Sequence, residues 1–191
     1  MKLLSIAIPC YNSEAYMEHC INTLLTGGDE VEIIIVDDGS TDDSCSVIES
    51  IKDPRIKLYR LEQNEHISHA TNYGFQKVTG AYLARIDSDD IWYPQKLEKQ
   101  ITFLKNNPEY KICFAWIDLI DEYGNSINEQ QKELLGVFET TFQGQSDCLH
   151  RFFFGGNCLS HPSVVMRTEL MRETGDFNLA YMQSRSEEHT S

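Results

Sequence analysis

Positive charge is in short supply. The 191 residues carry 16 Lys and Arg against 30 Asp and Glu, a net charge of −14 with an isoelectric point near 4.7. That balance argues against nucleic acid as a partner, because its phosphates are held by clustered Lys and Arg. It argues equally against a broad basic face for anionic lipid. A phosphorylated ligand would have to rely on a metal or on a few local donors. Long apolar runs are missing too: none approaches the roughly 18 residues of a membrane span. The segment from Met1 to Pro9 is too short for a signal-peptide core and leads straight into a strand pattern. The expected location is cytoplasmic, with room for peripheral association at the inner face of a membrane. No two of the cysteines (Cys10, Cys20, Cys45, Cys113, Cys148 and Cys158) stand in C-x₂-C spacing, which argues against structural zinc. Free thiols in a reducing cytosol are the expectation. No G-x-G-x-x-G follows the first apolar run, so the dinucleotide fingerprint of a dehydrogenase is absent. Internal repeats and low-complexity segments are absent as well.

What remains is a regular alternation. Hydrophobic residues make up 41% and charged residues 24%, a soluble globular balance in a chain long enough for one domain with a real core. Residues 3–8 form an apolar run ended by Pro9 and read as a buried strand. Asn12 or Ser13 then offers a cap for a helix to about residue 25, with Tyr16, Cys20 and Leu24 on one face. Residues 32–36, Glu-Ile-Ile-Ile-Val, give the strongest strand signal. Such β-branched continuity marks a strand covered on both faces of a parallel sheet. It runs into Asp37-Asp38-Gly39-Ser40-Thr41-Asp42, where Gly39 allows a tight turn and Thr41 or Asp42 can cap a helix to about residue 51. A strand is expected at 55–61, a helix at 68–78 and a strand at 82–86. A helix from about Pro94 to Asn106 follows. Beyond it come a strand at 112–120, a polar loop at 128–145, a short helix at 147–154, a strand at 162–166 and a helix at 168–174. This order predicts an α/β fold with a mostly parallel sheet and right-handed crossovers.

Ligands of such sheets gather at the carboxyl ends of the strands. Pro9-Cys10-Tyr11, Asp37-Asp38-Gly39 and Asp87-Ser88-Asp89 all fall at such ends. In Arg85-Ile86-Asp87-Ser88-Asp89-Asp90-Ile91-Trp92, three carboxylates crowd one strand exit. Their mutual repulsion is relieved by a divalent cation. Mg²⁺ and Mn²⁺ prefer oxygen ligands and take one or two protein carboxylates, leaving positions for phosphate oxygens. Asp-x-Asp here suggests a metal–diphosphate site; the alternative is an acidic turn in which Asp90 caps the next helix. Arg85 can pair with an aspartate or approach a sugar, and Trp92 can pack under the loop or stack on one.

These segments, with Ser5-Ile6-Ala7-Ile8-Pro9-Cys10-Tyr11-Asn12, Asn72-Tyr73-Gly74 and His161-Pro162-Ser163-Val164, resemble the inverting glycosyltransferase family 2 of the GT-A fold. The resemblance spans roughly residues 3–180. It implies transfer of a sugar from a nucleotide-diphosphate sugar, UDP-linked for preference, to a glycan or lipid-linked acceptor in cell-surface polysaccharide or lipopolysaccharide synthesis. It further implies that Pro9, Tyr11 and Asp38 hold the nucleotide base; Asn72 would reach the donor or else bond nearby backbone. Asp87 would face the ribose or the metal's water shell, and Asp89 would hold Mg²⁺ or Mn²⁺. His161 would lie on the acceptor or metal side. Two positions depart from the pattern: His66 stands where many relatives have Gly, and Thr71 where they have Arg or Leu. Inversion also needs a general base, an acid that the family places soon after Gly175-Asp176-Phe177. Residues 185–191 read as a non-native tail, so that base is expected to be missing; Glu187 and Glu188 are the only acids near the place. The competing expectation is a truncated nucleotide-sugar-binding module. A sugar nucleotidyltransferase would want Gly and a basic residue in the loop after the first strand, and Cys10-Tyr11-Asn12-Ser13 has neither.

Overall fold

The densest apolar stretch of the sequence lies inside the sheet. Strand β2 (Val31–Asp37) is buried at every position, and so is its neighbour β1 (Leu4–Cys10). Burial on both faces is what a central parallel strand requires. The structure, a computed structural model, describes residues 2–139, 141, 142, 145–175, 177 and 179. The strands β3 (Ile56–Arg60), β4 (Tyr82–Arg85), β5 (Ile112–Cys113) and β6 (Val165–Arg167) complete a sheet of order β3-β2-β1-β4-β6-β5. The first four are mutually parallel; β6 runs antiparallel to β4 and to β5. The mostly parallel α/β expectation therefore holds.

Helices cover both faces. On one, α1 (Met17–Leu24), α2 (Ser44–Ser50) and α4 (Lys96–Asn106) pack against Leu4, Ile6 and Ile8 of β1 and Ile33 and Ile35 of β2. On the other, α3 (His66–Gln76) and α7 (Thr168–Thr174) cover Ala7, Ile34, Val36 and Leu83. The period of two along each strand sorts these residues between faces. Fully burying each large aliphatic side chain is worth about 1.5–3 kcal/mol. Helix α3 lies close to the sheet because Gly74 meets Ala7: a β-carbon at Gly74 would sit 3.3 Å from Val36 Cγ2 and 3.6 Å from Ala7 Cβ. Among the described residues no helix is long and apolar enough to cross a membrane. All six cysteines are free, three of them buried.

Three expectations are corrected. The strand expected at 112–120 ends at Cys113, because its partner β6 is only three residues long and pairs with two. The strand expected from Pro162 begins at Val165. Pro162 has no N–H for a ladder, and His161–Ser163 instead forms a 3₁₀ turn whose Ser163 Oγ accepts the Ala115 N–H (3.1 Å). The supposed loop at 128–145 contains α5 (Lys132–Phe138), which buries none of its residues; its apolar positions Leu134, Leu135, Val137 and Phe138 stand in an otherwise polar stretch and are interrupted by Gly136. The short helix at 147–154 is present as α6 (Gln145–Gly155).

One buried carboxylate fastens the amino-terminal ends of the parallel strands. Glu32 of β2, 1% exposed, accepts the Ser5 hydroxyl of β1 (2.5 Å), the Thr79 N–H (2.9 Å) and hydroxyl (2.6 Å) ahead of β4, and Lys57 Nζ of β3 (2.6 Å). Gly80 completes the junction: its N–H donates to Ser5 Oγ (2.8 Å), and a β-carbon there would lie 2.7 Å from the Ser5 backbone nitrogen. Burial by itself would raise the Glu32 carboxyl, but the hydrogen bonds from Lys57, Ser5 and Thr79 outweigh it and hold it at about 2. A carboxyl depressed in this way stabilises the fold above its ordinary range and loses that contribution as pH falls through about 2. Glu32→Gln is expected to lower stability at pH 7 by about 2–3 kcal/mol. In urea melts the gap between parent and variant should narrow as pH falls from 5 toward 2; a gap independent of pH would show that the charge is not what holds the junction.

Candidate active site

The carboxyl ends of β2, β1 and β4 lie side by side. Cys10 is in register with Asp37, Ala7 is in register with Arg85, and the Asp38 N–H continues the ladder onto the Cys10 carbonyl (2.8 Å). Since β6 is antiparallel, its beginning rather than its end comes to this edge, and His161 with it.

The loop after β1 stitches its two neighbours together. Asn12, at φ 49°, accepts the Thr41 N–H on Oδ1 (2.8 Å), and its own N–H donates to Ser40 Oγ (2.9 Å). The Ser13 N–H donates to Ser44 Oγ (2.7 Å), while Ser13 Oγ shares a hydrogen bond with Ser88 Oγ (2.7 Å). Glu14 and the turn at 42–43 exchange two more: Glu14 N–H to Asp42 (3.1 Å) and Asp43 N–H to Glu14 (2.8 Å). Neither Asn12 nor Ser13 caps α1, contrary to expectation; the Tyr16 and Met17 N–H groups are satisfied by the Ser13 carbonyl. Their side chains are spent on joining loops instead. Asp42 does serve the start of α2, accepting the Ser44 N–H (3.0 Å).

At the β2 exit, Asp38 is 3% exposed and accepts the Glu65 N–H (2.8 Å). Burial pushes its carboxyl up, against the Glu65 N–H and the nearby His66 and His69. Gly39 is required here: it sits at φ +72°, and a β-carbon would lie 2.7 Å from the Gln63 carbonyl carbon. The opposing turn carries a second left-handed residue, His66 at φ 72°. A side chain in that conformation costs about 1 kcal/mol or more relative to glycine, so the departure from the family pattern at this position is strained. At the β1 exit Pro9 is buried and Tyr11 half-exposed, one strand away from Asp38.

The β4 exit is a tight turn, closed by the Asp90 N–H on the Asp87 carbonyl (3.2 Å). Its carboxylates have different fates. Asp87 is gripped by Arg85, which donates from Nη1 to Oδ2 (3.2 Å) and from Nη2 to Oδ1. Asp89 is exposed. Asp90 is half-buried, and its carboxyl is pushed up to about 7, first by burial and then by Asp87 and Asp89, with Arg85 opposing. It does not cap a helix, since α4 begins only at Lys96. Trp92 packs rather than facing ligand: it is buried, its Nε1 donates to the Pro162 carbonyl (3.2 Å), and Lys96 Nζ lies 3.7 Å from its ring centroid. Burial lowers that amine to about 7.

Beside this edge opens a cleft of about 350 Å³. Ser68, Thr71, Arg85, Asn157 and His161 supply its polar wall, and Phe114, Phe152 and Phe177 are among its apolar residues. The His161 ring stands edge-on to Phe177, centroids 5.5 Å apart. Asn72 is not in the wall. Its amide donates to the Phe177 carbonyl (2.8 Å) and accepts the Phe177 N–H (2.8 Å), a clamp across 105 positions. Reading the sequence singled out Pro9, Tyr11, Asp38, Asp87, Asp89 and His161, and all six lie along one edge. It missed the Ser13–Ser88 link and, though it offered Arg85 as an aspartate's partner, which it is for Asp87, the cleft position of Arg85. The latter is signalled only by strand alternation, which puts Arg85 on the Leu83 face. Glu187 and Glu188 lie outside the described residues.

Among the described residues no group of three or more His, Cys, Asp or Glu side chains is set to hold a metal ion alone. The chemistry of the turn nevertheless suits one. Asp89 offers a hard oxygen at the rim, and three carboxylates in four positions are answered there by one guanidinium, Arg85, which is taken up by Asp87. A site with one protein carboxylate is what Mg²⁺ or Mn²⁺ uses when phosphate and water fill the rest of the shell.

Known proteins agree with this architecture. S. aureus TarS 1–349, solved with UDP, matches 96% of the chain and 52% of its own with a TM-score of 0.73 at 21% identity. The mannosyltransferase PcManGT of Pyrobaculum calidifontis, solved with GDP-Man and Mn²⁺, matches 92% of the chain and 47% of its own with a TM-score of 0.66 at 16% identity. Both are GT-A glycosyltransferases, and the fold here is theirs. An uncharacterized glycosyltransferase of Rickettsia typhi is 35% identical over 93% of the chain and 57% of its own length. The chain thus spans about half the length of the curated relatives it matches. The profile of glycosyl transferase family 2 matches residues 5–173, and the chain belongs to that family.

Proposed function

We propose that the chain carries the donor half of a reaction that moves a sugar from a nucleoside-diphosphate sugar, UDP-linked, to a hydroxyl of a glycan or lipid-linked acceptor with inversion. The observation that carries the reading is the single sheet edge shared by Tyr11, Asp38 and Asp89. Asp38, buried beside the Cys10 carbonyl, is suited to accept a ring N–H of the base, and Tyr11 to pack on the base's face. Asp89 would hold Mg²⁺ or Mn²⁺, which supplies charge stabilisation for the departing diphosphate. The UDP in the TarS structure and the Mn²⁺ in the mannosyltransferase structure support the choice of ligands. The same edge carries His161 and the cleft, where an acceptor hydroxyl could reach the donor. The base that removes the acceptor proton is not assigned to any described residue.

Calorimetry tests the reading. UDP is expected to bind more tightly with Mn²⁺ than without, and Asp89→Ala should abolish the difference while leaving metal-free binding. Equal binding with and without Mn²⁺ in the parent would refute the assignment.

The Asp90 carboxyl gives a second test, on stability. Its pKa in the folded protein is raised from 3.8 to about 7, so its ionisation costs the fold nothing at low pH and an increasing amount as pH rises from about 4, in full above about 7. In metal-free protein, Asp90→Asn should therefore match the parent near pH 4. By pH 8 the variant should be the more stable of the two, by up to about 4 kcal/mol. Added Mn²⁺ should restore the parent at pH 8. Thermal unfolding at both pH values measures this; a variant that is less stable at pH 8 would contradict it.

A further inference from the structure

Among the described residues, Arg85 is the most deeply buried basic side chain. The residue is 2% exposed at the end of β4. Its backbone is held on one side by the Ala7 register and on the other by its N–H on the Val164 carbonyl (3.4 Å). It lines the cleft beside Thr71 and His161, and it is the one permanent cation among the lining residues. Both terminal nitrogens hold Asp87. A guanidinium has more N–H donors than that fork uses.

This geometry does not suit a metal shared by Asp87 and Asp89. Asp87 has both oxygens on Arg85. Withdrawing them would leave a buried guanidinium without its counter-charge, which is strongly unfavourable. Asp89, by contrast, stands at the exposed rim of the turn. The charge balance points the same way. A diphosphate with one divalent cation and one carboxylate is still net negative, and a chain of net charge −14 offers it no general attraction.

We propose that Arg85 is the protein's own cation for the donor's diphosphate: it neutralises Asp87, leaves Asp89 as the metal's carboxylate, and turns its remaining N–H donors to a phosphate oxygen. The inference rests on the donor reading above and divides the labour within it. Asp87 becomes a positioning residue for Arg85 rather than a metal ligand. Thr71, at the place where relatives carry Arg or Leu, leaves the cleft without a second guanidinium from α3.

The test is calorimetric titration of parent, Arg85→Met, Arg85→Lys, Asp87→Asn and Asp89→Ala with Mn²⁺ alone, then with UDP and with inorganic pyrophosphate at saturating Mn²⁺. Thermal unfolding checks that each variant is folded. Arg85→Met should bind Mn²⁺ at least as tightly as the parent, since a repelling charge is gone. It should bind UDP and pyrophosphate alike about tenfold more weakly. Arg85→Lys should recover part of that loss, and Asp87→Asn should keep the parent's Mn²⁺ affinity while weakening UDP. Unchanged UDP and pyrophosphate affinity in Arg85→Met overturns the proposal, and so does a loss confined to UDP. A loss of Mn²⁺ affinity in Asp87→Asn as large as in Asp89→Ala also overturns it, because Asp87 would then be a ligand. If Arg85→Met does not fold, the lysine and asparagine variants decide the question by the same criteria. A parent in which Mn²⁺ does not improve UDP binding would sink the donor reading and this proposal together. Metal-dependent binding in the parent with no Arg85 effect would sink this proposal alone.

Discussion

The candidate site depends on strand register, and register is held from the opposite end of the sheet. Strand side chains alternate between faces, so a slip of one residue would turn the whole of β1 inside out. Glu32 resists such a slip by tying β2 to β1, to β3 and to the approach to β4 through one carboxylate. A buried carboxylate left alone would be ruinous. Three kinds of donor surround this one, and their combined effect exceeds the desolvation that opposes it. Because those strands start together, Cys10 ends beside Asp37, and Arg85 ends β4 level with Ala7. The candidate edge is thus set up from the opposite end of the sheet.

At that edge the governing quantity is charge. Three aspartates occupy one turn in a strongly acidic chain, and a single buried guanidinium answers them. Arg85 satisfies Asp87, while Asp90, half-buried among like charges, holds its proton to about neutral pH. Asp89 alone is left outward-facing and open to a cation. The loops around the turn are held by neutral hydroxyls and amides, Ser13 to Ser88 and Asn12 to Thr41, which add no charge to a crowded place.

The sequence displays those parts of the molecule whose signals are local. The β-branched run of β2 and the aspartates placed after strands β2 and β4 could be read directly; the first leads to the observed sheet, and the second fall on one edge of it. Short elements with weak patterns could not. Helix α5 buries nothing, and β5 is cut short by the 3₁₀ turn at Pro162 on its partner. Long-range polar pairing leaves no trace in any window. The amide of Asn72 is occupied by Phe177 from 105 positions away, and the Ser13 hydroxyl by Ser88 from 75. For that reason Asn72, read either as a donor contact or as bonded to nearby backbone, bonds backbone that is distant in the chain, while Asn12 and Ser13 read as helix caps and fold as seams between loops.

The reversal of β6 has a consequence for how such a protein diversifies. With β5 and β6 antiparallel, the stretch from Phe114 to Ser160 leaves the sheet and returns to it on the same side, its two ends pinned by Ala115 and Ser163. It is an appendage rooted at the mouth of the cleft, outside the ladder of parallel strands. Lengthening an appendage of this kind adds only about 0.6 kcal/mol of closure entropy for each doubling. Evolution can therefore rewrite what lines the cleft while the four parallel strands, and the edge they form, stay as they are.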